Sequence, residues 1–145
     1  MLQRIQSIFL FLAGLASFLL LAFPFAATPT AVAGSTLFAD GQFGIDDNIG
    51  VTIFFLLGGG LAFLAIFMFK NRTGQIRLSI LAFIANLIGL VLAIVFFMQE
   101  NQLGETPVED KMGLYMPIIA FITLLLAIRY IQKDDKLVSS MDRLR

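Results

Sequence analysis

Four long apolar stretches separated by short polar segments constrain this chain more than any other feature. Read as helices, they cover Ile5–Ala26, Ile49–Phe69, Gln75–Met98 and Leu114–Ile131. Each is near the ~20 residues that carry an α-helix across ~30 Å of hydrocarbon. Charge touches these runs only near their ends, at Arg77 and Arg129. In lipid every backbone donor and acceptor must be satisfied within the protein, so such runs predict spanning helices. With 59% of the 145 residues hydrophobic, residues 1–145 are expected to form one membrane domain with no separate soluble unit.

Four spans return both termini to one side. Arg4, Lys70, Arg72, Arg77, Arg129, Lys133, Lys136, Arg143 and Arg145 then share a compartment, and Lys111 stands opposite. The positive-inside rule places those nine cations in the cytoplasm. Asp40, Asp46, Asp47, Glu100, Glu105, Glu109 and Asp110 fall outside, whereas Asp134, Asp135 and Asp142 fall inside. Nine cations against three acids inside, and one against seven outside, divide a formal net charge of zero into +6 and −6. This polarity suits a leaflet rich in anionic headgroups, where each near-surface cation contributes on the order of 1 kcal/mol. The bilayer is therefore the expected partner, and nucleic acid is not needed to explain the cations.

Cysteine and histidine are both absent. That removes disulfides, thiolate and imidazole metal sites and the usual proton shuttle. The remaining carboxylates, hydroxyls and cations fall into no catalytic spacing, so the sequence predicts no catalytic residue, no metal site, no cofactor and no enzyme.

Along the chain, Arg4, the apolar run Ile8–Phe23 and Ala31-Val32-Ala33 also fit a cleaved secretory signal. The run is long for that purpose and Pro24-Phe25-Ala26 extends it, so the reading retained is a span closed or kinked at Pro24. In the outer loop 27–48, Thr36–Ala39 and Gln42–Ile45 flank Asp40-Gly41, which predicts a short β-hairpin. Asp46-Asp47-Asn48 reads as an N-terminal cap of the second helix, since the acids lack the alternating order of a calcium loop. Residues 70–74 form a tight inner turn between helices two and three. In the outer loop 99–113, Glu109 and Asp110 are placed to complement the N-terminus of helix four, and Pro117 lies in its first turns. Tyr115 and Tyr130 mark the ends of that span at headgroup depth. In the tail 132–145, Leu137, Val138, Met141 and Leu144 recur at helical spacing, predicting an amphipathic cytoplasmic C-terminal helix.

Within the membrane, Ala85, Gly89 and Ala93 form a small-residue ridge on helix three, and Gly58 with Ala62 a shorter one on helix two. Such ridges let helices approach closely, here against each other or a second copy. Asn86 lies near mid-depth and needs partners, which Ser17, Thr52 or Thr123 could supply. The fold class expected is an all-α, four-helix transmembrane bundle with both termini inside.

Three local patterns carry a family resemblance: the opening Met1-Leu2-Gln3-Arg4-Ile5-Gln6-Ser7-Ile8, the turn Asn71-Arg72-Thr73-Gly74-Gln75-Ile76-Arg77-Leu78, and the ending Asp134–Arg145. Together they resemble the bacterial four-span membrane proteins grouped as domain of unknown function 4293. The resemblance implies a multi-pass protein of the Gram-negative inner membrane and supplies no activity. All three patterns lie on the cytoplasmic side, which makes that face the expected working surface. Its candidate residues are Gln3, Arg4, Asn71, Arg72, Gln75, Arg77, Asp134, Asp135, Lys136, Asp142, Arg143 and Arg145. The function expected is a non-enzymatic accessory or assembly subunit docking a membrane-protein partner, a second copy or anionic lipid. A small carrier or channel component with Asn86 near its path is the alternative.

Overall fold

A computed structural model of the chain describes residues 2–100 and 106–142. It is mostly helical, with α1 at Leu2–Leu19, α2 at Ile49–Phe67, α3 at Arg72–Gln99 and α4 at Met116–Asp142. Helices α2, α3 and α4 are each long and apolar enough to cross a membrane, and α1 contributes a shorter apolar stretch, Ile5–Leu19. The protein is therefore an all-α membrane protein. Contacts run around a ring, α1 to α2, α2 to α3, α3 to α4 and α4 back to α1, with α2 and α3 sharing the most extensive one.

Helix α1 stops earlier than its apolar composition suggests. Leu21 N–H donates to Phe18 O, and Ala22 and Phe23 N–H both donate to Leu19 O, a closing turn just ahead of Pro24. The chain then leaves the helix axis as an extended segment, since the residue before a proline is pushed out of the helical region. Ala26–Ala27 (β1) becomes the centre of a small antiparallel sheet, flanked by Gln42–Phe43 (β2) and Glu109–Asp110 (β3).

That sheet corrects the predicted hairpin. Gln42 and Phe43 pair with Ala27 and Ala26, not with residues 36–39. Those residues are instead held as turns: Ser35 Oγ accepts from the N–H groups of Leu37 and Phe38 at 3.2 and 2.8 Å. Gly41 N–H donates to Phe38 O, and Gly41 has a φ of +82°, so Asp40-Gly41 does turn the chain but returns it to a distant partner. Glu109 and Asp110 pair with Ala27 and Ala26 as β3 and are separated from α4 by the 3-10 turn Met112–Tyr115. They do not cap that helix as predicted. Gly113 sits against the Phe23 and Pro24 carbonyls, where an added Cβ would lie 2.3 and 2.4 Å from oxygen, so only glycine fits.

Beneath the sheet lies the first core, Phe25, Phe38, Phe43, Ile45, Val51 and Phe55 with Leu20 and Ala93. Rings of Phe25 and Phe43 meet at 5.3 Å, and Phe97 closes on Phe38 and Phe43 at 6.2 Å. The second core, nearer the other end, is built on Leu10, Ala13, Ala62, Ala65, Ala82, Leu124, Ala127 and Ile131. Its alanines keep the helix axes close at that end. Helix α4 continues unbroken to Asp142, so the predicted amphipathic tail helix is the last part of α4.

Candidate functional site

The start of α1, the start of α3 and the last third of α4 converge at the basic end. Helix α3 begins at Arg72 because Asn71 caps it: its side-chain Oδ1 accepts from Gly74 N–H at 3.0 Å. One turn on, Gln75 points inward and is wholly buried, as is Gln6 of α1 at 1% exposure. The Gln6 amide donates to Gln75 Oε1 at 3.4 Å. Gln6 Oε1 and Gln75 Nε2 are left without a hydrogen-bond partner, so an acceptor and a donor stand open inside the protein. Unmatched buried polar atoms are costly and uncommon. Ser79, a turn deeper, returns its hydroxyl to Gln75 O at 2.8 Å.

Arg72 and Asp134 form the second element of this cluster. Their Nε and Oδ2 atoms lie 3.0 Å apart, with the side chains 21% and 13% exposed. The two pair by charge, because neither atom makes an aligned hydrogen bond. Asp134 shares the inward face of α4 with Leu124, Ala127 and Ile131. The ion pair thus fastens the polar part of α4 to the start of α3.

Of the other residues predicted for this surface, Arg77 and Lys136 are exposed, and Asp135 is half-buried. Gln3 and Arg4 lie in the first turn of α1 and Asp142 in the last turn of α4, with side chains outside the described set; Arg143 and Arg145 lie wholly outside it. Sequence reasoning passed over Gln6 as a contributor, although Gln6, Leu10, Ala13 and Ser17 recur at helical spacing along one buried face. It also left Arg129 and Lys133 out of the surface; both are exposed on α4.

At mid-depth Asn86 is fully buried. Ser17 Oγ donates to Asn86 Oδ1 at 2.8 Å, and the Asn86 amide nitrogen donates to Ala82 O at 2.9 Å. Gly58 makes room for it: a Cβ there would lie 2.2 Å from Asn86 Nδ2. Gly89 likewise receives the Phe55 ring, while Ala62, Ala85 and Ala93 are buried. Ser17–Asn86 and Gln6–Gln75 have the same sequence offset, 69 residues. A constant offset means α1 and α3 run parallel, with two polar rungs about three turns apart crossing the core between them.

The acidic end offers less. Asn48 caps α2 by accepting from Gly50 N–H at 2.9 Å, and Asp47 accepts from Gly44 N–H at 2.6 Å. Partial burial pushes the Asp47 carboxyl above its ordinary range, the Gly44 N–H works against that, and Asp46 and Asp40 add to it. The Lys111 ammonium, 2.7 Å from Glu109, holds that exposed carboxyl below its ordinary range. Among the described residues no three acids gather into a group that could hold a metal ion.

Comparison with known proteins adds a family and no activity. The sequence model described as Domain of unknown function (DUF4293) matches residues 2–144, nearly the whole chain. No curated protein and no solved structure matches.

Proposed function

The chain belongs to the DUF4293 family, and because that family brings no activity with it, we propose a function from the site alone: a non-enzymatic accessory or assembly subunit of the inner membrane. In this reading all four helices span the bilayer as a bundle, both termini are cytoplasmic, and the basic end is the working face. The observation that carries it is the Arg72–Asp134 pair beside the buried Gln6–Gln75 contact. Three helices contribute their most polar residues to one end, and the result presents the last part of α4 as a preformed arm. A preformed arm loses little conformational freedom on binding, which is what a docking element needs. Reactive chemistry has no comparable support, since the chain lacks cysteine and histidine.

The carrier reading needs Asn86 beside a path. Its side chain is fully buried and engaged with Ser17 and Ala82 O, which favours a packing role.

Affinity purification in mild detergent, comparing the intact chain with one lacking residues 134–145, tests the docking proposal. A stoichiometric protein partner that is retained by the intact chain and lost on deletion is expected. No partner with either chain overturns it and strengthens the carrier reading, and self-association alone identifies a second copy as the ligand.

A further inference from the structure

One stripe of α4 passes without a break from apolar to cationic. Ile118, Ile122, Leu125, Arg129, Lys133 and Lys136 follow one another at intervals of three or four residues, and all are exposed. At about 100° per residue this stripe lies on the back of the helix, opposite the inward face of Leu124, Ala127, Ile131 and Asp134. Its first half faces hydrocarbon in any membrane-spanning arrangement. Its second half rises roughly 10 Å from Arg129 to Lys136, enough to cross a headgroup layer of about 5–8 Å. Asp134 is turned away from these cations to Arg72. Two adjoining shallow cavities, about 340 and 280 Å³, both have Arg129 and Lys133 in their walls. Gln132, Lys136 and Leu137 complete the first, and Leu126 and Tyr130 the second. Tyr130 is fixed by stacking on Phe9 of α1 at 5.5 Å.

We propose that this face of α4 seats an anionic phospholipid, with its phosphate headgroup on Arg129, Lys133 and Lys136 and its acyl chains along Ile118, Ile122 and Leu125. The continuity of the stripe selects the ligand. A guanidinium offers a phosphate a two-pronged contact, and two ammonium groups add charge without fixed geometry. A free anion would use the cations and leave the apolar half unmatched, whereas a phospholipid matches both halves in register. The proposal deepens the docking reading and rests on it for the cytoplasmic placement of this end, where anionic lipid faces the chain.

The test uses the purified full chain in a neutral detergent, titrated with short-chain phosphatidylglycerol and read by native mass spectrometry. Parallel titrations use short-chain phosphatidylcholine and inorganic phosphate. Saturable phosphatidylglycerol binding is expected, with phosphatidylcholine and phosphate failing to compete. The triple variant R129Q/K133Q/K136Q is expected to bind at least tenfold more weakly, and R129Q alone to show the largest single loss. A K70Q/R77Q variant, which removes two exposed cations of the same end, is expected to stay within twofold of the intact chain. Elution volume and helical circular dichroism check that each variant is folded, and R129Q carries the test where the triple variant is not. Three results overturn the proposal: unchanged binding in the folded variants, an equal loss in K70Q/R77Q, or competition by inorganic phosphate. The titration contains no other protein, so its failure leaves the partner-capture result standing, and the reverse also holds.

Discussion

Gly58 and Asn86 fit each other so closely that neither can be changed alone without cost. A Cβ at Gly58 would overlap the Asn86 amide at 2.2 Å and approach Ala82 O at 3.2 Å, whereas one at Gly60 meets nothing within 4 Å. Gly58→Ala is therefore expected to destabilise the protein by about 1–3 kcal/mol, in the range of core overpacking. Gly60→Ala should stay within about 0.5 kcal/mol of the starting chain, and thermal unfolding in detergent compares the two. Ser17→Ala should cost roughly 0.6–2 kcal/mol, the usual range for an interhelical hydrogen bond in a membrane. Combining Gly58→Ala with Asn86→Ala should cost less than the sum of the two, because the second change removes the overlap made by the first. Additive losses would mean that Gly58 matters for some other reason. The sequence made the need of Asn86 legible, because a lone amide in hydrocarbon demands a partner, and Ser17 was one of three residues at suitable depth. Gln6 was not legible. A glutamine in the first turn of a predicted span reads as a headgroup-level side chain, and only the spatial approach of Gln75 gives it a buried role.

At the level of elements, composition located the helices well and their ends poorly. Leu20–Ala26 is as apolar as the helix before it, yet it unwinds because Pro24 cannot donate and Phe25–Ala27 can pair with two other segments. Neither Ala26-Ala27 nor Glu109-Asp110 has a strand-like composition, so a sheet made from three distant dipeptides leaves no periodic trace. Arg72 shows the opposite case, a local misfit with a tertiary cause. A cation as first residue of a helix opposes the macrodipole, so its position reflects its partner Asp134 on α4. Removing either member should cost about 1–3 kcal/mol, between the 0–1 of an exposed pair and the 3–5 of a buried one. The loss should be local. Hydrogen exchange of the α4 amides from Ile131 to Asp142 is expected to speed up in Asp134→Ala while the Leu124–Ala127 region stays protected. The exchanged pair, Arg72→Asp with Asp134→Arg, should recover much of that protection because it keeps the attraction and puts the acid at the helix N-terminus. Protection that stays at the Asp134→Ala level in the exchanged pair would show that charge pairing is not what fastens the arm.

For the whole molecule, the proposed orientation rests on how charge is divided between two ends that the fold itself defines. The Gln6–Gln75 and Arg72–Asp134 contacts bring the start of α1, the start of α3 and the polar part of α4 to one end. The sheet of β1, β2 and β3 collects the loops at the other. This grouping was legible because connection length and span number alone imply it; the Gln6–Gln75 contact between α1 and α3 was not, since parallel helices with no direct connection leave no signal in local sequence. Lys70 and Lys136 belong to the first end, and Asp40 and Glu109 to the second. Anionic lipid and the membrane potential both favour keeping the cationic end inside, which makes the orientation a physical expectation independent of any relative. The absence of native cysteine makes it directly measurable. Lys70→Cys and Lys136→Cys should react with a membrane-impermeant maleimide only in inverted vesicles. Asp40→Cys and Glu109→Cys should react in right-side-out vesicles. Labelling of positions 70 and 136 from opposite sides would break the even number of crossings, and labelling of both from outside would reverse the protein. Either result would separate the basic stripe of α4 from cytoplasmic anionic lipid, so the topology experiment decides the premise on which docking at that end depends.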